Sequence, residues 1–138
     1  TVFTLGQDAA VNGDEATIAY CFHSVDDYSK LGSYFGNGNA NGAFVYTGFR
    51  PAWVLLKKIS NAANGSSWCI HDNKRLGYNN VNDRIRPNTS GAEDDDGRVE
   101  IVSNGFKMRV TYQESNEDNV EYVYMAFAET PFKYSNAR

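Results

Sequence analysis

Gly42–Lys58 reads GAFVYTGFRPAWVLLKK, and its reading decides the fold. Two apolar segments, Ala43-Phe44-Val45-Tyr46 and Ala52-Trp53-Val54-Leu55-Leu56, flank the punctuation Thr47-Gly48-Phe49-Arg50-Pro51. Each is rich in aromatic and β-branched residues, and each is too short for an ordinary helix. Pro51 has no amide donor and biases Arg50 toward extended geometry, so covalent structure places the bend before the second strand. Trp53-Val54-Leu55-Leu56 predicts a central strand covered on both faces, with Trp53 in the core. Lys57 and Lys58 are expected to return the chain to water.

The same pattern extends outward in both directions. Residues 2–5 and 16–22 read as strands joined by the polar turn 7–15, with Asn12-Gly13 as the tight-turn signal. Residues 28–35 read as a strand with Gly32 as a weak point or bulge. Further strands are expected at 67–71, 98–102, 106–112 and 121–128. The linking loops, 36–42, 60–66, 72–97 and 113–119, are rich in Gly, Asn and acidic residues. No helical period is sustained over three turns. The expectation is an all-β fold with little or no helix: an antiparallel β-sandwich, jelly-roll or concanavalin-like, of about nine strands.

At 138 residues the chain suits a single domain spanning 1–138. Val2–Leu5, a turn and Thr17–Phe22 can be laid over Gly105–Met108, a turn and Tyr122–Phe127. Two readings of that echo stand: two ordinary hairpins, or residues 1–25 as the end of a preceding related repeat with 26–138 as one full unit. A chain that opens on Thr1 reads as processed, or as part of a longer one.

A net charge of −4 without a basic stripe argues against nucleic acid as a partner. No apolar run approaches the ~20 residues of a membrane-spanning helix, so no membrane insertion is expected. Cys21 and Cys69 sit in apolar segments without metal-ligand spacing, and are expected to be buried free thiols.

No catalytic constellation emerges, and the chain is read as a non-enzyme. His71-Asp72 could be imagined in a hydrolase triad, but there is no nucleophile elbow, and His71 reads as a strand-end residue. Glu100 and Glu121 are the only strand-embedded carboxylates, and nothing links them to a cleft. The run Glu93-Asp94-Asp95-Asp96 is the candidate metal site, because Ca²⁺ accepts roughly six to eight oxygen ligands in forgiving geometry; a solvated acidic turn is the competing reading. No other cofactor is expected. Asp26-Asp27 and Glu117-Asp118 read as solvated. Glycan recognition needs aromatic faces with polar groups on a rigid scaffold. Tyr28, Tyr34, Tyr46, Tyr78, Tyr112, Trp53 and Trp68 are the aromatics available for that. The candidate ligand-binding residues are Tyr78, Asn79, Asn80, Arg84 and Arg86, all within 72–97, with a surface salt-bridge role as the alternative for the two arginines.

Five stretches taken together carry a resemblance. They are Tyr20-Cys21-Phe22-His23-Ser24-Val25, Tyr28–Tyr34, Phe44–Val54, Ser103–Lys107 and Met125–Phe132. In this order the chain resembles a concanavalin-like β-sandwich domain of tail-fibre and other virion proteins of tailed, often marine, bacteriophages. The resemblance implies no catalytic or binding residue to carry over. It implies a place on the phage particle surface after assembly in the host cytoplasm, and hence free thiols. The expected partners are a host-surface glycan or protein, other virion proteins and further copies in a homo-oligomer. The expected role is receptor binding through the loops; the alternative is a structural or decoration protein packing on capsid, tail or copies of itself.

Overall fold

The computed structural model describes residues 2–14, 16–61, 67–75, 83–96 and 98–132. Seven strands carry the fold: β1 (Ser29–Phe35), β2 (Phe44–Tyr46), β3 (Pro51–Lys58), β4 (Trp68–Asp72), β5 (Val99–Val102), β6 (Gly105–Met108) and β7 (Glu121–Ala128). They form two sheets, a four-stranded one in the order β1-β7-β3-β4 and a three-stranded one in the order β2-β6-β5. Every strand pairing is antiparallel. The one helix among the described residues is the single turn α1 (Ala9–Asn12), capped by Asp8, whose side chain accepts from the Ala10 amide.

The core lies between the sheets. Val54 and Leu56 of β3, Tyr122, Tyr124 and Ala126 of β7, and Cys69 of β4 meet Val45, Val99, Phe106 and Met108 of the smaller sheet. Strict alternation along β7, with every even residue buried, fits one face on a core. Two close approaches lock the pairing. Gly105 in the β5–β6 turn leaves no room for a Cβ, which would stand 2.1 Å from the Val45 carbonyl oxygen. Gly36 likewise lies against the Glu117 carbonyl.

Several sequence expectations are corrected. The central strand β3 is buried on one face only; from Trp53 onward its odd residues are half-buried on the outer face, where the Trp53 indole sits 5.7 Å from the Phe127 ring. Lys58 does not return to water: it is buried, with Nζ 2.6 Å from Glu117 Oε2. Gly32 is no bulge, since β1 and β7 stay in register along its whole length; the irregularity falls between Pro51 and Trp53, where proline lacks the donor. Residues 2–5 and 16–22 join no sheet, which is why seven strands stand where about nine were expected. Asn12-Gly13 closes α1 instead of turning a hairpin.

The acidic turn after β6 is part of the scaffold. Asn116 is fully buried and donates to the carbonyls of Asn39 (2.8 Å) and Val110 (2.7 Å) while accepting from the Asn37 amide. The Tyr34 hydroxyl donates to the Ser115 carbonyl at 2.7 Å, and the Tyr122 hydroxyl to that of Gln113 at 2.6 Å. Loops 36–42 and 113–119 are thereby bound to each other through one asparagine.

Candidate functional site

The candidate ligand residues fall in two groups. Tyr78, Asn79 and Asn80 lie outside the described residues. Arg84 and Arg86 are in a segment that adds to the edge of β4: Ile85 exchanges both backbone bonds with Ile70, and Arg84 with Asp94. That placement buries Arg84 completely, so it is no surface arginine. Its Nε lies 2.7 Å from Asp94 Oδ1, and its Nη1 2.7 Å from Glu114 Oε2, as an ion pair off the N–H direction. Its guanidinium stacks 4.4 Å from the Tyr112 ring centre. Arg86 Nε sits 3.0 Å from Glu114 Oε2, and Arg86 also pairs with Asp94.

The acidic run is divided among these cations. Asp94 serves both arginines, Glu93 pairs with Arg75, Asp96 Oδ2 is 3.9 Å from Arg84 Nη2, and Asp95 is exposed. Among the described residues no three His, Cys, Asp or Glu side chains are grouped to hold a metal ion. Burial alone would raise the Asp94 carboxyl, but Arg84 and Arg86 overturn that and hold it below its ordinary value.

Two side chains of β4 complete this ionic cluster. Cys69 donates its thiol to Glu114 Oε2 at 3.7 Å. Burial, then the Glu114 charge, push that thiol up to about 12, so it stays protonated and unreactive. His71, read as an ordinary strand-end residue, is fully buried, and neither ring nitrogen has a hydrogen-bond partner. Burial, then the Arg84 charge, lower it to about 3, which keeps it neutral. Both cysteines are free; Cys69 is buried as expected and Cys21 is exposed, contrary to expectation. A protonated thiol, a neutral imidazole and internally paired charges make this cluster, among the described residues, a packing device.

The open chemistry lies elsewhere. The turn before β1 and the turn between β2 and β3 enclose a polar cavity of about 360 Å³. Ser24, Asp26, Asp27 and Lys30 line one wall, and Tyr46, Thr47 and Gly48 the other. The first wall is held by mutual backbone bonds between Val25 and Ser29, with Asp27 at φ 56°. The second is held by the Thr47 and Gly48 amides donating to Asn104 O, with Gly48 at φ 89°. Tyr46 is 63% exposed. Sequence reading counted Tyr46 among aromatics available for sugar stacking but took Asp26-Asp27 as merely solvated; nothing in the chain pairs residues 24–30 with 46–49, some twenty positions away.

A second surface is the outer face of the four-stranded sheet. Leu31, Leu55, Trp68, Val123 and Met125 line a depression of about 560 Å³ there. Trp53, Ile70 and Pro87 extend it beyond Trp68 into a further 320 Å³. This outer face is mainly apolar, with Ser33 and Glu121 also in the lining.

A family model described as a domain of unknown function, DUF7483, matches residues 1–131. The chain belongs to this family. No curated protein and no solved structure matches it. The matched span takes in both turns of the polar cavity and all seven strands of the DUF7483 sandwich.

Proposed function

We propose that this DUF7483 domain is a non-enzymatic module of a tailed-phage virion, carried on a tail fibre or similar appendage, which recognises a host-surface glycan through its loops. The observation that carries the reading is the polar cavity. An exposed tyrosine, two aspartates and a lysine stand at turns fixed by backbone hydrogen bonds. Sugars are held by that combination, ring face on an aromatic with hydroxyls bridged by carboxylates. The phage setting rests on the sequence resemblance. Repetition of the module on a particle makes modest single-site affinity sufficient.

Titration calorimetry with capsular or lipopolysaccharide oligosaccharides tests it. Tyr46→Ala and Asp27→Asn, which tolerates the same positive φ, are each expected to weaken binding at least about tenfold, roughly 1.4 kcal/mol. Unchanged binding in both variants would move the site away from these loops.

A second reading, a structural or decoration role in the virion, is favoured by the apolar outer sheet face. It predicts a stable assembly by light scattering and no glycan signal at all.

A further inference from the structure

The segment before β1 and the free edge of β1 are a matched pair. Ile18, Tyr20 and Phe22 fall at every second position of a stretch outside both sheets and are 77%, 81% and 56% exposed. The same stretch echoes β7, the strand that pairs with β1 on its other side. Large apolar residues at every second position of a segment outside both sheets have the sequence form of a strand without its sheet.

β1 offers the sheet. Gly36 donates to Val120 O, and Tyr28 O accepts from Ala128, so the even-numbered residues of β1 turn their backbone groups toward β7. Leu31 turns the opposite way: its N–H and C=O both meet Ser24 Oγ, at 3.0 and 3.4 Å. By strand periodicity Ser33 and Phe35 present their N–H and C=O to that same edge. No described strand pairs with it. An open edge with an exposed Phe35 is a template for another strand.

The chain's own arm is held off this edge. Docking in cis would give up both Ser24–Leu31 bonds and the bond from Ser29 Oγ to His23 O at 3.1 Å. The Val25↔Ser29 bridge would also fix a register that sets Phe22 and Tyr20 opposite Gly32 and Tyr34, facing inward, where Tyr124 already fills the space over Gly32. A strand arriving from elsewhere keeps those three bonds and is free of that register.

We propose that the arm Ile18–Phe22 of one copy adds as an antiparallel strand to the Ser33–Phe35 edge of a second copy, each donating an arm and accepting one. Two of the three apolar arm residues then stand opposite Ser33 and Phe35, and the arm extends the apolar outer face. The exchange is self-complementary, as two-fold dimers require. It stands independently of glycan recognition, since neither Ile18–Phe22 nor Ser33–Phe35 lines the polar cavity.

The test is mass in solution by sedimentation, with far-ultraviolet circular dichroism confirming that each variant is folded. The full chain is expected to shift from one to two copies as concentration rises. Ile18→Asp with Tyr20→Asp removes the donor, and Ser33→Pro removes an edge donor that makes no bond within the monomer. Each is expected to lose the dimer while keeping the monomer's spectrum. A full chain that stays monomeric overturns the proposal, as does a dimer that survives both variants. Slow amide exchange at Ser33 and Phe35 in a monomer, lost in the double-aspartate variant, would overturn it in favour of docking in cis.

Discussion

At the scale of single residues, the cluster under β4 governs how the protein responds to acid. His71 is neutral in the fold, its value lowered to about 3, whereas in the unfolded chain it takes a proton near the ordinary 6.5. Between those values the unfolded state binds more protons, so stability present above pH 6.5 is lost as pH falls toward 3. Asp94, held below its ordinary value by the arginines, adds loss in the same direction at the acidic end. The unfolding free energy from urea titrations is expected to fall steadily from neutral pH to about pH 4, with a slope approaching 1.4 kcal/mol per pH unit. His71→Leu, which removes two unpartnered nitrogens, should flatten that slope; an unchanged slope would assign it to the carboxylates. Glu114→Ala leaves the buried Arg84 with Asp94 as its close partner, and a cost of about 3 kcal/mol is expected in equilibrium unfolding, within the range for breaking a buried pair.

Among the elements, β6 tolerates an added methyl at its glycine less than β1 does. A Cβ at Gly105 would meet backbone, the Val45 carbonyl at 2.1 Å, so Gly105→Ala must break the β2–β6 pairing. Loss of a cooperative thermal transition is expected. A Cβ at Gly32 would meet the Tyr124 ring at 3.0 Å, a side chain that can shift, so Gly32→Ala should cost only about 1–2 kcal/mol. The alternation in β3 and β7 was legible because a strand half-buried on a core has a period of two. Legibility failed for residues 2–5 and 16–22, which carry the same alternation but face water: a strand pattern states a need for a partner, and Ser24 at the edge of β1 denies one within this unit. Lys58 and Arg84 were misjudged for a related reason. A charge is read as solvated until its counter-charge is located, and Glu117 and Glu114 lie 59 and 30 positions away in sequence.

Across the whole molecule, the four-stranded sheet is mainly apolar on both faces while only one is covered by the smaller sheet. Leu55→Gln on the outer face is expected to leave the melting temperature within a few degrees and to lower binding of a hydrophobic dye, since the side chain contributes little to the monomer core. A large fall in melting temperature would instead place Leu55 in the folding core.

Composition and alternation alone determined that this chain is all-β, where its best strands run, and that β3 stands inside a sheet, because these follow from local geometry repeated every second residue. Which side of β3 faces water, that an arginine and a histidine are sealed beneath β4, and that Asp26-Asp27 share a cavity with Tyr46 were decided only in three dimensions. Those facts depend on which distant segments meet, and no local period encodes that.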